Sequence, residues 1–528
     1  MESRTYIGMT IGPIDRVADM AKRGTRVLWA TSYIFSYLAR NIVEKFYIQE
    51  KRYFVLPQWS EEGCNPNNEI FAIKNGSGLF PDRYIFEAKD DDFKELSDHK
   101  DKVLQDLADK IRGSIALPET ESEKVREYVR KIFKVYFVQK TYSFYDNEVV
   151  KDISSMLDML ECEDLFPEVI IEGGDYLEQF FDKVESFLVD DAFGEENILL
   201  SDNRIIKTTF EYSACELKQE EYWKSFGIEP PRVNLVFQQG DPFVGKVDKE
   251  VKDKYMPYHN YIAVVKADGD YMSDTLKNMA SKDISVYHLD HNLLQYNKAV
   301  GELIRAHGGV PVFLGGDDLL FFAPVIGVGH KSVFELLDEI NTVFNEYMQN
   351  LVKAGLSEGE MKLTLSFGVS ISYYKFPIYE SRNAAEELLN EAKMAGKNRL
   401  KWQLRKHSGQ IIQSGDIDKA NNEFYKNYIS LIKENAIITS NKDEGRLYSS
   451  FVYWLNEHKA IISEISSDNI KLTNYFKNSF EKPIHNNDIF KKFYEKVLNM
   501  ICVNHNDEHV LETMYGVLRF ILFVKNYE

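Results

Sequence analysis

Two short acidic segments of the chain have residue types that could bind divalent cations. Asp268 and Asp270 end the apolar run YIAVVKADGD, and Asp317 and Asp318 follow two glycines in VPVFLGGDDLL. Clustered carboxylates repel one another unless cations offset their charge, and all-oxygen ligands favour Mg²⁺ or Mn²⁺. A site with two such metal ions suits phosphoryl or nucleotidyl transfer.

The glycines beside these acids could let a nucleotide approach the backbone. Gly315 and Gly316 permit positive φ and remove side-chain bulk from the turn. Gly269 lies between the first two acids and could leave backbone N–H groups open to phosphate oxygens. We therefore predict that all three glycines help to bind a nucleotide.

Positive charge for the phosphates is found in the segment EAKMAGKNR. Lys393 and Lys397 are four residues apart, which places them on one helix face, and Asn398 and Arg399 follow. Electrostatic stabilisation of developing charge is often a large catalytic term. The two lysines are therefore predicted to contact the nucleotide.

Each of these patterns also has a simpler interpretation. GGDD suits a tight hairpin turn, DGD suits a loop, and a lysine pair at this spacing commonly lies on a solvated helix face. All three occur in one stretch of the chain, on elements whose order would bring them together. The combination favours a nucleotide site.

The elements that must position these residues follow the order β-α-β-β-α-β, and then α-β. Strands are predicted at 261–270, on both sides of GGDD, at 363–374 and at 399–407, with helices over 271–305, 331–352 and 380–396. In a ferredoxin-like sheet of this order the first strand and the GGDD hairpin are neighbours. All four carboxylates would then meet at one end of the sheet.

The rest of the chain divides into three further regions. Residues 1–150 begin with a strand followed by a long helical stretch over about 15–51, residues 151–254 mix helices with short strands, and residues 408–528 are almost entirely helical. The fold class is therefore α+β, with a small mixed α/β middle domain, a sheet-containing domain at 255–407 and a C-terminal helical bundle.

Composition excludes several classes of protein. The formal net charge of −19 argues against a protein that coats nucleic acid through its overall charge. No signal peptide or apolar stretch of membrane-spanning length is present, and the four cysteines form no CxxC pair. We expect a soluble cytoplasmic protein with no membrane contact.

The acidic and basic segments resemble the palm domain of nucleotide cyclases and polymerases, including the GGDEF-type diguanylate cyclases. KMAGKN is similar to the Lys-x-x-Gly-Arg-Asn segment that those cyclases use for phosphates. More closely, KADGDYM, GGDDLL and AKMAGKN together resemble the large polymerase-like subunit of type III CRISPR effector complexes, particularly the Cmr type.

The N-terminal region also resembles that family. The family opens with a strand leading into a helix with a Thr-Arg-x-Leu-Trp-x-x-Ser pattern, and GSGLFPDRYIF is similar to its Leu-Pro-Asn-Arg hairpin. The matching residues here are Thr25, Arg26, Leu28, Trp29 and Ser32 in the helix, and Phe80, Pro81, Asp82 and Arg83 in the hairpin.

The resemblance implies two ferredoxin-like palm domains with two nucleotides between them. Residues 1–150 would be the non-catalytic palm, and residues 255–407 the catalytic one. Target RNA bound by the complex would activate synthesis of a second messenger from ATP, with an acceptor 3′-hydroxyl attacking the α-phosphate and pyrophosphate leaving. The product would be a cyclic oligoadenylate, or AMP joined to S-adenosylmethionine as co-substrate. Partners would be the other subunits of the complex and, through them, guide RNA and target RNA.

The site that we predict has two parts. The catalytic and metal-binding residues are Asp268, Asp317 and Asp318, which would hold two Mg²⁺ or Mn²⁺ ions. The nucleotide-binding residues are Gly269, Asp270, Gly315, Gly316, Lys393 and Lys397.

Two features depart from the family pattern. None of the eleven histidines is followed by aspartate, so the His-Asp doublet of the family's nuclease domain is missing from this sequence and we expect no DNA cleavage. Cys162 and Cys215 are too few for the cysteine-rich zinc site that many members have in the middle region. Two other functions stay open: a stand-alone GGDEF-like cyclase that uses GTP, and a non-catalytic scaffold subunit.

Overall fold

The computed structural model describes residues 3–14, 17, 25–58, 71, 76–143, 148–163, 175–182, 187–193, 256–373, 376–435, 442–480 and 488–526. Within these ranges the chain forms two β-sheets, each with helices packed beside it, and a helical C-terminal region. The predicted α+β fold class is therefore confirmed.

The first sheet and its helices occupy the N-terminal part of the chain. Its elements are β1 (Arg4–Gly12), α1 (Thr25–Glu44), β2 (Phe54–Leu56), β3 (Arg83–Ala88), α2 (Asp92–Ser114), α3 (Ser122–Ile132) and β4 (Lys134–Tyr142). The strand order is β2-β3-β1-β4, and β1 pairs antiparallel with both β3 and β4. With helices after β1 and after β3, this is the ferredoxin-like arrangement. Much of the N-terminal part of the predicted 15–51 helix lies outside the described residues.

The predicted middle region, 151–254, is described only in part. Its described elements are helices: α4 (Glu148–Glu163), α5 (Tyr176–Asp182) and α6 (Phe187–Phe193). Helix α4 packs on the first sheet, where Ile153 and Leu157 contact a cluster that includes Tyr6 and Ile85. Helices α5 and α6 pack against α1. No strand occurs in the described part of this region, and most of it lies outside the described residues.

The second sheet has the first strand beside the GGDD hairpin, as the sequence predicts. Its elements are β5 (Tyr261–Asp270), α7 (Met272–Ser281), α8 (Tyr287–His307), β6 (Val310–Gly315), β7 (Asp318–Pro324), α9 (Val333–Lys353), β8 (Thr364–Tyr373), α10 (Ile378–Met394), β9 (Arg399–Arg405), β10 (Ile411–Gln413) and β11 (Ile417–Asp418). The order is β10-β9-β8-β5-β7-β6, with β11 also paired to β9. Strand β5 is central and antiparallel to both β7 and β8, and its apolar run is buried on both faces.

The sheet extends beyond residue 407, where the sequence predicts the start of the helical region. Strands β10 and β11 both pair antiparallel with β9. Their buried side chains, Ile412 and Ile417, belong to the same core as the central strands. Strands of two or three residues are too short to show an alternating pattern, so the sequence does not reveal them.

The C-terminal helices pack directly on this sheet. They are α11 (Asn422–Asn435), α12 (Lys442–Glu457), α13 (Lys459–Ile465), α14 (Asn469–Phe480), α15 (Asp488–Val503) and α16 (Val510–Lys525). The Phe520 ring on α16 lies 5.8 Å from that of Trp402 on β9 and 4.9 Å from that of Phe334 on α9. Trp402 Nε1 donates to Tyr428 Oη at 2.8 Å. None of the described helices combines the length and apolar character that a membrane crossing requires.

The N-terminal part of the chain covers the β6 edge of the second sheet. Gly78 forms a parallel bridge with Phe313, and α1 packs on β6. Gln58 accepts hydrogen bonds from Ser285 Oγ (3.0 Å) and from the backbone N–H of Tyr287 (3.1 Å). An edge strand with unpaired backbone groups is thereby protected.

A buried histidine at the end of helix α8 should make the fold sensitive to acid. His307 is 4% exposed, and its Nε2 lies 3.2 Å from the carbonyl oxygen of Pro324. Burial lowers the pKa of His307 from 6.5 to about 4. The neutral imidazole therefore stabilises the folded state above pH 6.5, and this stabilisation is lost as the pH falls towards 4.

We expect His307→Gln to remove this pH dependence. Between pH 7 and pH 5, the free energy of unfolding of the wild type should fall by about 2 kcal/mol more than that of the variant. Urea unfolding at both pH values measures the difference. His509→Gln, at an exposed histidine, is the matched control and should behave as the wild type does. Equal pH dependence in the wild type and His307→Gln would contradict the prediction.

Candidate nucleotide site

The GGDD segment forms the tight hairpin that its glycines predict. Gly315 pairs with Asp318, which leaves Gly316 and Asp317 as the two turn residues, and Gly316 has a φ of +61°. Pairing of β5 with β7 continues to Ala267 opposite Leu319. The hairpin tip and the end of β5 are therefore neighbours, as the sequence predicts.

Gly269 lets Asp317 approach the end of β5. A Cβ atom built on Gly269 would lie 2.5 Å from Asp317 Oδ2 and 2.7 Å from Asp317 Cβ. No side chain larger than hydrogen fits at such distances. Asp317 therefore lies directly against the backbone between Asp268 and Asp270. Gly315 meets a different neighbour, since a Cβ there would lie 2.3 Å from the Phe313 ring.

The two hairpin carboxylates are electrostatically crowded. Burial, together with the nearby charge of Asp268, raises the pKa of Asp317 from 3.8 to about 6. Burial raises the pKa of Asp318 to about 7; Lys266 opposes this shift, and Asp268 and Asp317 add to it. Within the described part of the chain, Asp318 Oδ1 is buried without a hydrogen-bond partner. A bound cation would stabilise the ionised form of both carboxylates.

Lys393 lies at the same corner of the domain, where the end of β5 meets the tip of the GGDD hairpin. Its ammonium forms an ion pair with the Asp268 carboxylate and donates to the carbonyl oxygen of Gly269 at 3.2 Å. Lys397 lies beyond the end of α10, in the left-handed region, so the two lysines do not share one helix face as the sequence predicted. Its Nζ lies 4.1 Å from the centre of the Tyr271 ring. Both predicted lysines are therefore beside the segment that carries the first two acids.

Asp270 has a different environment from the other acids. Its side chain is 1% exposed and accepts hydrogen bonds from Thr364 Oγ1 (2.8 Å) and Ser366 Oγ (3.0 Å). The backbone N–H of Asn398 also donates to it at 2.9 Å. Asp270 is thus close to the cluster but already has its hydrogen-bond partners within the fold.

Two residues of helix α8, Asn297 and Tyr296, lie at the site although the sequence did not predict them. Asn297 Nδ2 donates to the carbonyl oxygen of Gly316 at 3.0 Å, which fixes the hairpin turn from behind. Burial, and then the charge of Asp317, raises the pKa of Tyr296 above its ordinary range. Asn297 and Asn292 are both buried on α8, and a polar residue among buried apolar neighbours is the sequence signal that could have indicated Asn297.

The residues present fit a divalent cation, although they are not arranged as a complete metal site. No group of three or more His, Cys, Asp or Glu side chains among the described residues is positioned to hold one. The ammonium of Lys393 lies on Asp268 instead. The crowded carboxylates and the buried oxygen of Asp318 are nevertheless the hard oxygen donors that Mg²⁺ and Mn²⁺ prefer.

Comparison with known proteins gives consistent matches. Residues 261–401 match the family model described as Cas10/Cmr2, second palm domain. The chain is similar to one in the structure of type III-B Cmr-beta in its apo state, with 13% identity, 87% of this chain and 75% of that chain covered, and a TM-score of 0.50. Cmr-beta bound to cognate target RNA is also similar, with 13% identity, 90% of this chain and 78% of that chain covered, and a TM-score of 0.50.

A further solved structure is a Csm1–Csm4 cassette in complex with one ATP, at 14% identity over 99% of this chain and 70% of that chain, with a TM-score of 0.45. None of the curated proteins matches the chain. The Cmr-beta structures show a shared fold, and the family match confirms the predicted resemblance of the acidic and basic segments.

Proposed function

We propose that the chain is the large subunit of a type III CRISPR effector complex, because residues 261–401 match the Cas10/Cmr2 second palm domain model. We further propose that this palm makes a nucleotide second messenger from ATP. The reaction would join an acceptor hydroxyl to the α-phosphate of ATP and release pyrophosphate.

One observation carries the proposal: carboxylates and a lysine from three separate segments meet at one corner. Asp268 ends β5, Asp317 lies at the hairpin tip against Gly269, and Lys393 reaches both Asp268 and the Gly269 carbonyl from α10. A structural hairpin would not need two crowded, half-buried acids with raised pKa values. This geometry supports the binding of a negatively charged substrate together with a cation.

In the proposed reaction each group has a defined part. The oxygen of the acceptor hydroxyl forms a bond to the α-phosphorus, and the bond from that phosphorus to the oxygen bridging the α- and β-phosphates breaks. The electron pair of the broken bond leaves with pyrophosphate, and the hydroxyl proton is released to water. Lys393 and Lys397 are the cations available at this corner to hold phosphate oxygens. Mg²⁺ or Mn²⁺, held by Asp268, Asp317 and Asp318, would offset phosphate charge and lower the pKa of the attacking hydroxyl.

Partners are proposed from the same resemblance. One of the similar structures is type III-B Cmr-beta bound to cognate target RNA. We propose that this chain works with other subunits, and meets guide RNA and target RNA through them. The net charge of −19 fits a subunit that contacts RNA locally instead of coating it.

The test incubates the complete complex with target RNA, Mg²⁺ or Mn²⁺, and ATP labelled at the α-phosphate, with and without S-adenosylmethionine. We expect labelled adenylate products only when target RNA is present. Products that require S-adenosylmethionine would identify it as the acceptor. A parallel reaction of the isolated chain with GTP addresses the stand-alone cyclase. The absence of product in every reaction would overturn the enzymatic proposal and leave a scaffold subunit.

A further inference from the structure

The turn after helix α10 has an unusual backbone. Gly396, Lys397 and Asn398 have φ values of +128°, +65° and +50°, so three successive residues lie in the left-handed region. Two of the three are not glycine, and such conformations persist only where surrounding contacts hold them. This turn carries Lys397 and follows directly on the helix end that carries Lys393.

Asp270 holds one side of this turn. The backbone N–H of Asn398 donates to its carboxylate at 2.9 Å, and the hydroxyls of Thr364 and Ser366 bond to the same carboxylate from β8. Hydrogen bonds to a charged acceptor are stronger than those between neutral groups. Asp270 therefore joins the strained turn to two adjacent strands of the sheet.

Lys419 holds the other side. Its backbone N–H donates to the carbonyl oxygen of Asn398 at 3.0 Å, so both peptide groups of that residue are fixed. The Lys419 side chain is 6% exposed, with Nζ 2.6 Å from Asn341 Oδ1 and 4.6 Å from the centre of the Phe367 ring. Burial lowers the pKa of Lys419 to about 7, while the charges of Asp270 and Asp338 oppose this. Asp270 and the protonated Lys419 side chain therefore attract each other across the turn.

We propose that Asp270 is a positioning residue that, supported by Lys419, holds the Gly396–Asn398 turn so that Lys393 and Lys397 face the nucleotide. It takes this role in place of the direct nucleotide contact expected from the sequence. The inference rests on the proposed function for the part that concerns the nucleotide. The effect on the turn itself does not depend on it.

The test compares the full-length wild type with Asp270→Asn in three measurements. Amide hydrogen exchange over residues 393–400 should become at least about tenfold faster, because the charged acceptor is lost. Affinity for α,β-methylene ATP, measured by calorimetry with Mn²⁺, should fall about tenfold. Mn²⁺ affinity without nucleotide, measured by electron paramagnetic resonance, should stay unchanged.

The outcomes separate the possible roles. A fall in Mn²⁺ affinity would make Asp270 a cation ligand and overturn the proposal, as would unchanged exchange in the turn. If the wild type binds no ATP analogue, the proposed function fails, whereas faster exchange in Asp270→Asn still supports the anchoring role. Faster exchange with undiminished analogue affinity would overturn the positioning of the lysines.

A second variant covers the case in which Asp270→Asn does not fold. Lys419→Met keeps the backbone bond to Asn398 but removes the attraction to Asp270, so exchange in the turn and analogue affinity should change in the same directions by a smaller factor. Lys401→Met is the matched control, because Lys401 pairs with Glu391 and Asp416 outside the turn. Equal behaviour of the two lysine variants would overturn the role of Lys419.

Discussion

Asp317→Ala combined with Asp318→Ala should abolish nucleotide synthesis and leave the fold intact. These carboxylates, with Asp268, are the oxygen donors at the corner where β5 meets the hairpin. Loss of a preorganised electrostatic group commonly costs roughly 100- to 1,000-fold in rate, and two adjacent losses should take synthesis below detection. The measurement is formation of labelled product from ATP by the complete complex with target RNA.

The same variant should not lose stability. The pKa values of Asp317 (about 6) and Asp318 (about 7) both lie above the ordinary 3.8. Above pH 7 both groups are therefore ionised at a cost to the folded state, and alanine removes that cost. Thermal unfolding at pH 8 should occur at the same temperature as in the wild type or a higher one.

Glu358→Ala, at an exposed acid of the same domain, is the control and should retain full synthesis. Assembly of the double variant with its partner subunits, followed by gel filtration, establishes that loss of synthesis does not come from loss of the complex. Retained synthesis by the assembled double variant would refute the assigned site.

The second large effect is expected from adding one methyl group at Gly269. The new Cβ of Gly269→Ala would lie 2.5 Å from Asp317 Oδ2 and 2.7 Å from Asp317 Cβ, so the hairpin must shift. Displacement of a catalytic group by about 1 Å can cost about 100-fold in rate. We expect synthesis to fall by about that factor, measured under saturating ATP, while circular dichroism stays that of the wild type.

Gly359→Ala is the matched control for this change. A Cβ at Gly359 meets nothing within 4 Å, and the residue does not have a positive φ. This variant should synthesise product at the rate of the wild type. If Gly269→Ala were equally active, the close approach of Asp317 to β5 would not matter for the reaction.

The hairpin and its neighbour strand could be predicted because their signals are local. Alternating or continuous apolar runs indicate the strands, and GGDD fixes the turn, so the ferredoxin order brings Asp268 and Asp317 together. The separate environment of Asp270 could not be predicted in this way. It depends on the turn at Asn398, more than a hundred residues later in the chain, returning over the end of β5.

The domain boundaries were harder to predict for a related reason. Helix α4, in the predicted middle region, packs on the first sheet because Ile153 and Leu157 complete a cluster around Tyr6. The apolar pattern of a helix predicts that one face is buried, but it does not indicate which sheet that face packs on. The short strands β10 and β11 are missed for lack of length, and Asn297 because scattered polar residues in a buried helix face are weak evidence.

The packing of Trp402 against Phe520 limits how segments could be exchanged between relatives of this chain. Their rings are 5.8 Å apart, and Trp402 also donates to Tyr428 of the C-terminal helices. The palm and those helices therefore share one interior. A chimaera that replaces residues 255–407 alone would have to match a foreign strand face to the resident helices, side chain by side chain. The unit that could be exchanged between relatives is therefore the palm together with the C-terminal helices that pack on its sheet.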